Sequence, residues 1–163
     1  MKIGFIGAGN MGSAIIGGII EKIKDAKIIV SDKNEAARNA ICQKFGAVGF
    51  DNNFDVAKAS DILFLAVKPN VLDAVISEIK DFVSADTLII SIVAGKSIEY
   101  IENAFGKDIK LIRVMPNTPA LVGEGMSALC KNKNVSDEDL ESALEIFNSL
   151  GRAEVVTENI MDA

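Results

Sequence analysis

The sequence predicts a doubly wound α/β fold, a mostly parallel sheet with helices on both faces. Short apolar runs rich in Ile and Val alternate with longer amphipathic stretches, the pattern of strands joined by crossover helices. Several of the apolar runs are continuously hydrophobic rather than alternating, as in strands covered on both faces. A glycine-rich turn separates the first apolar run from the first amphipathic stretch.

Taken in order, the strands are expected at Lys2–Ile6, Lys27–Ser31, Ile62–Ala66, Leu88–Ile92 and Leu111–Met115, with helices at Met11–Lys24, Glu35–Phe45, Val71–Phe82 and Ile98–Phe105 between them. Beyond Pro119 the rhythm changes. Gly123-Glu124-Gly125 leads into a further strand at Met126–Cys130, and Ser136 caps a helix whose first turn carries Asp137, Glu138 and Asp139. Gly151 is expected to stop that helix. A short strand at Ala153–Thr157 then joins the sheet edge, and Glu158–Ala163 has the composition of the opening of another helix. No repeat, low-complexity tract or linker divides the chain.

Composition narrows the function classes. Seventeen basic against 23 acidic residues, a net charge of −6, leave no basic run to neutralise a nucleic-acid backbone or an anionic membrane surface. No stretch approaches the roughly 18 apolar residues of a bilayer span. The start, Met1 to Gly7, places one positive charge before an apolar run, but glycines and Asn10 break it without a cleavage-like segment, so a cytoplasmic location is expected. Cys42 and Cys130 stand far apart, away from any Cys-x-x-Cys pair, and fit structural roles better than a disulfide or a metal site; none is expected. Histidine is absent, which removes imidazole as acid, base or metal ligand.

Gly7-Ala8-Gly9-Asn10-Met11-Gly12 is a Gly-x-Gly-x-x-Gly run at a strand-to-helix junction. Gly7 permits a tight turn, Gly9 lets backbone approach a pyrophosphate, and Gly12 lets the helix lie against the strand; the helix N-terminus then faces the phosphates. Asp32, twenty residues after Gly12, completes the fingerprint of a Rossmann-like dinucleotide site. Its carboxylate suits the adenosine ribose of NADH and repels the 2′-phosphate of NADPH unless a cation such as Lys33 compensates, so the bare residues favour NADH modestly. The bland alternatives stay open: glycines that only allow a tight turn, and an aspartate that only caps the next helix.

Four segments together resemble pyrroline-5-carboxylate reductases: Phe5 to Met11, Ala66-Val67-Lys68-Pro69, Ser91 to Gly95, and Val114-Met115-Pro116-Asn117-Thr118-Pro119-Ala120, the last followed by Gly123-Glu124-Gly125. The resemblance implies hydride transfer from NADPH or NADH to the C=N bond of 1-pyrroline-5-carboxylate, giving L-proline. It implies cofactor contacts from Ile6, Gly7, Ala8, Gly9, Asn10 and Met11 at the pyrophosphate and from Asp32 at the ribose, beside the Gly12 and Lys33 that the motif and the charge argument supply. Asn53 would lie near the adenosine, and Ala66, Val67, Lys68, Pro69, Ile92, Val93 and Ala94 would line the nicotinamide side. Asn117 and Lys68 are the candidate catalytic residues. Each has a structural rival: Pro69 opens a helix, Lys68 is a surface charge, and Asn117 caps a turn.

A cyclic imine becomes electrophilic on protonation, so this chemistry demands less of an enzymic acid than carbonyl reduction, in keeping with a chain that has no histidine. The resemblance also implies a dinucleotide-binding domain at residues 1–157, the start of a helical domain at residues 158–163 that completes the substrate pocket and a homo-oligomer, and little catalysis by these 163 residues alone. Two further readings remain: a non-catalytic NAD(P)-binding sensor or regulatory module, and a reductase like the 3-hydroxyacid dehydrogenases.

Overall fold

The computed structural model describes residues 1–117 and 124–161. Thr118, Pro119, Ala120 and Gly123 of the motif loop, and Asp162 and Ala163 of the expected last helix, lie outside the described residues. In chain order the elements are β1 (Lys2–Ile6), α1 (Asn10–Lys22), β2 (Lys27–Ser31), α2 (Glu35–Phe45), β3 (Val48–Phe50), α3 (Asn53–Ala59) and β4 (Ile62–Leu65). A 3-10 turn at Pro69–Val71 leads into α4 (Leu72–Ile79), followed by β5 (Leu88–Ser91), α5 (Ile98–Phe105), β6 (Lys110–Met115), β7 (Gly125–Lys131), α6 (Asp137–Asn148) and β8 (Gly151–Val155). A second 3-10 turn covers Glu158–Ile160.

Local chemistry sets the helix ends. Asn34, Asn52, Ser97 and Ser136 each accept a backbone N–H from the first turn of α2, α3, α5 and α6, and Asp139 reaches back to close a capping box on α6. Gly46 and Gly106, both left-handed, terminate α2 and α5.

The eight strands form one sheet in the order β3-β2-β1-β4-β5-β6-β7-β8. Pairing is parallel from β3 through β6; β7 runs antiparallel to β6, and β8 lies parallel to β7. Alternate residues of each central strand feed opposite cores. Ile62 and Phe64 of β4 join Ile15, Ile16 and Ile19 of α1 with Phe147 of α6, while Leu63 and Leu65 pack with Leu72, Ile76 and Ile79 of α4 and Ile101 and Phe105 of α5. Phe5 and Phe64 stack at 4.5 Å between ring centres on the α1 side. A doubly wound sheet with both faces covered is therefore what the apolar runs encode.

Several boundaries differ from expectation. Gly151 does not stop α6: the helix ends at Asn148, Ser149 remains right-handed, and Gly151 at φ 137° opens β8. A Cβ there would stand 2.0 Å from the Gly125 carbonyl oxygen, so the glycine serves the β7–β8 pairing. The last strand accordingly covers Gly151–Val155 rather than Ala153–Thr157. The sequence reading also lacks β3 and α3, a short exposed edge strand and a helix of two turns. Among the described residues no helix is long and apolar enough to cross a membrane.

Candidate functional site

The strand order reverses direction between β1 and β4, and ligands of open α/β sheets bind at the carboxyl ends of strands beside such a switch point. A cleft of about 260 Å³ lies there. Its walls come from the residues that follow β1 (Ile6, Gly7, Gly9), the end of β2 (Ser31, Asp32, Lys33), Asn53 at the start of α3, the segment after β4 (Ala66, Val67, Lys68) and one face of α4 with its preceding turn (Val71, Ala74, Val75, Glu78).

The three turn glycines divide by what surrounds them. Gly7, at φ 108°, would place a Cβ 2.2 Å from the Ala66 carbonyl oxygen, so only glycine fits between the ends of β1 and β4. At Gly12 a Cβ would stand 3.2 Å from the Gly7 carbonyl oxygen, the close helix-on-turn approach expected of the third glycine. A Cβ at Gly9 would meet nothing within 4 Å among the described residues. The space beside Gly9 belongs to the cleft.

Gly9 is the N-cap of α1 and offers no side chain to its first-turn amides, and that turn carries no acidic residue, in contrast to the capped α2, α3, α5 and α6. An anion there meets N–H groups and the positive end of the helix dipole. Lys33 and Lys68 line the same cleft, with both residues exposed.

Asp32 sits between two backbone segments. Its Oδ2 accepts the Ala8 N–H at 2.7 Å and its Oδ1 accepts the Asn34 N–H at 2.7 Å. Beside it, Ser31 Oγ donates to Asn53 Oδ1 at 2.7 Å, and Asn53 Nδ2 donates to Glu78 Oε2 at 2.8 Å. This chain of hydrogen bonds joins β2, α3 and α4 along one wall.

The structure thus brings Ile6, Gly7, Gly9, Asp32, Lys33, Asn53, Ala66, Val67 and Lys68 to one cleft. Ala8, Asn10, Met11 and Gly12 form the rest of the turn and the start of α1 beside it. Pro69 opens the 3-10 turn, the structural role weighed for it from sequence. Ile92, Val93 and Ala94 follow β5 at the same end of the sheet but outside the cleft wall; the Ile92 N–H donates to the Leu65 carbonyl and the Val93 N–H to Ser91 Oγ. Asn117, two residues past β6, accepts the Met126 N–H at 3.0 Å and so ties β6 to β7.

Ser31, Val71, Ala74, Val75 and Glu78 were not anticipated from sequence. A signal exists for the last four: they recur at helical spacing, which puts the Glu78 carboxylate on the stripe of Val71 and Val75. Away from the cleft, burial pushes the Cys130 thiol up, Glu158 adds to this and Arg113 opposes it, in keeping with a structural cysteine.

Sheet order, switch-point cleft and glycine turn define a Rossmann-like α/β protein. The chain belongs to the family described as NADP oxidoreductase coenzyme F420-dependent, whose model matches residues 2–95. The resemblance to pyrroline-5-carboxylate reductases extends along nearly the whole chain: it is 42% identical over 159 residues to the Escherichia coli (strain K12) pyrroline-5-carboxylate reductase, covering 96% of this chain and 59% of that protein. A solved pyrroline-5-carboxylate reductase from Coxiella burnetii superposes with a TM-score of 0.91 at 32% identity, over 96% of this chain and 58% of that one. The Plasmodium falciparum pyrroline carboxylate reductase, solved with NADP bound, gives 0.87 at 34% identity over 99% and 60%. The chain therefore spans less than two thirds of the length of these relatives.

Proposed function

We propose that this chain is the dinucleotide-binding part of a cytoplasmic pyrroline-5-carboxylate reductase, holding NADPH or NADH for reduction of the C=N bond of 1-pyrroline-5-carboxylate to L-proline. The observation that carries this reading is the division of the glycines: Gly7 and Gly12 are packed against protein, while Gly9 faces open cleft at an uncapped helix N-terminus. That is the shape a pyrophosphate fits. The NADP held by the Plasmodium falciparum relative supports it.

When bound, the cofactor supplies a hydride from its nicotinamide ring. The chain's part is positioning and exclusion of water. Ile6 to Gly12 receive the pyrophosphate, Asp32, Lys33 and Asn53 stand at the adenosine end, and Ala66 to Pro69 with Ile92 to Ala94 border the nicotinamide. On this reading Lys68 and the Asn117 side-chain amide orient the substrate. Residues 1–157 then form the dinucleotide domain and residues 158–163 lead toward the substrate side of a homo-oligomeric enzyme.

Joining residues 1–163 to the part of the Escherichia coli relative that lies beyond the aligned region tests the assignment. The chimera is expected to form proline from 1-pyrroline-5-carboxylate with NADPH or NADH. A folded chimera that binds dinucleotide without forming proline would favour the sensor reading.

A further inference from the structure

The cleft wall at the end of β2 holds a feature that the dinucleotide fingerprint does not require. A ribose-binding aspartate needs its carboxylate directed at the ligand. Here the Asp32 carboxylate spans two backbone amides, Ala8 within the glycine turn and Asn34 at the N-cap of α2, each at 2.7 Å. The backbone around it is fixed as well: the Arg38 guanidinium donates to the Asp32 carbonyl at 3.4 Å, and the Gly7 N–H donates to the Ser31 carbonyl at 2.9 Å. Arg38 is held in place in turn by its stem, which lies against Gly49 of β3, where a Cβ would stand 3.3 Å from Arg38 Cγ.

We propose that Asp32 is a positioning residue whose carboxylate clasps the glycine turn to the start of α2, and that it supports NADH and NADPH binding about equally instead of discriminating between them. This rests on the dinucleotide reading of the cleft. Ala8 lies between Gly7 and Gly9, and glycine-rich backbone has much conformational freedom to lose. Fixing the Ala8 amide to a carboxylate sets the direction in which the following amides face the pyrophosphate. With both carboxylate oxygens already accepting from backbone amides, the contact to a ribose hydroxyl that would favour NADH over NADPH is replaced by contacts within the protein. Lys33, exposed on the same wall, faces any such phosphate with the opposite charge.

The test uses the 163-residue chain, with Asp32→Ala and Asp32→Asn variants, and measures affinity for NADH and for NADPH. Asp32→Ala loses both hydrogen bonds and is expected to weaken both dinucleotides by roughly tenfold, with their ratio nearly unchanged. Asp32→Asn keeps one acceptor oxygen and should recover part of the loss for both. A second readout needs no variant: in amide hydrogen exchange of the wild-type chain, the Ala8 and Asn34 amides should both be protected, because one carboxylate accepts both. That shared protection should persist with NADH bound, since the clasp stays closed under the ligand.

A shift of the ratio by about tenfold toward NADPH in Asp32→Ala, from relief of about 1.4 kcal/mol of repulsion, would overturn the proposal. So would an Ala8 amide that loses its protection once NADH binds, which would show the carboxylate leaving for the ribose. If Asp32→Ala does not fold, wild-type amide exchange with and without NADH decides alone. Wild-type chain that binds neither dinucleotide would overturn the dinucleotide reading and this proposal with it, a result distinct from binding with a moved ratio.

Discussion

At the scale of single residues, Gly7 and Gly9 separate what the fold needs from what a ligand needs. Gly7 combines a positive φ with a would-be Cβ lodged 2.2 Å from the Ala66 carbonyl oxygen. Gly7→Ala is therefore expected to destabilise the ligand-free chain by about 1–3 kcal/mol, measured by urea denaturation, because the backbone between β1 and β4 must move. Gly9→Val places its Cβ where nothing stands within 4 Å among the described residues, and at this N-cap position it should lower that midpoint less than Gly7→Ala does. A Gly7→Ala chain as stable as wild type would show that the turn relaxes freely. The contrast was only partly legible in the sequence: the motif assigns different uses to its glycines, but which of them touches protein depends on how closely β4 approaches β1. Asp32 shows the same limit, since its place in the fingerprint says nothing of the Ala8 and Asn34 amides that meet it.

At the scale of elements, α6 illustrates a helix whose start is written in local chemistry. Ser136 and Asp139 exchange hydrogen bonds in a capping box, and Lys110 of β6 approaches Asp139 at 3.3 Å. Ser136→Ala should cost about 1 kcal/mol in urea denaturation. For Asp139, burial pushes the carboxyl up, but the hydrogen bonds from Ser136 and the Lys110 ammonium outweigh it and hold the group below its ordinary value. A folded-state value below the unfolded one means the stabilisation is complete above the unfolded carboxylate range and is lost as pH falls through the folded value. The stability gap between wild type and Asp139→Asn should therefore be open at neutrality and close in acid; a gap that widens on acidification would contradict the assignment. Elements with such caps, or with long apolar periods, match the sequence expectation closely, as at β2, α2 and α5. β3 and α3 escape it because three residues, two of them exposed, carry no period, and because α3 buries only Val56 and Ala57. Glu78 joins the cleft only because α4 packs on Leu63 and Leu65, a tertiary fact outside any local pattern.

At the scale of the whole molecule, the last described segment is tied back to the sheet. Glu158 Oε1 accepts from the buried Arg113 of β6 at 3.1 Å and from the Ile98 N–H at the start of α5 at 2.7 Å. Glu158→Ala removes both charge-assisted bonds and is expected to cost about 1–3 kcal/mol, with amide exchange rising at Ile98 and along Glu158–Ile160 while the β1–β4 pairing keeps its protection. Uniformly faster exchange would show that the segment supports the entire sheet. The cleft, by contrast, is built from β1, β2, β4, α3 and α4, away from this tie, so dinucleotide binding should survive Glu158→Ala. Titration of NADPH into wild-type and Gly9→Val chains, followed by the cofactor's fluorescence in a protein without tryptophan, asks most directly whether that cleft binds a dinucleotide. Saturable binding at one site per chain, lost in a Gly9→Val chain that remains folded, is the predicted result; equal affinity in the two folded chains, or no binding by wild type, would contradict it.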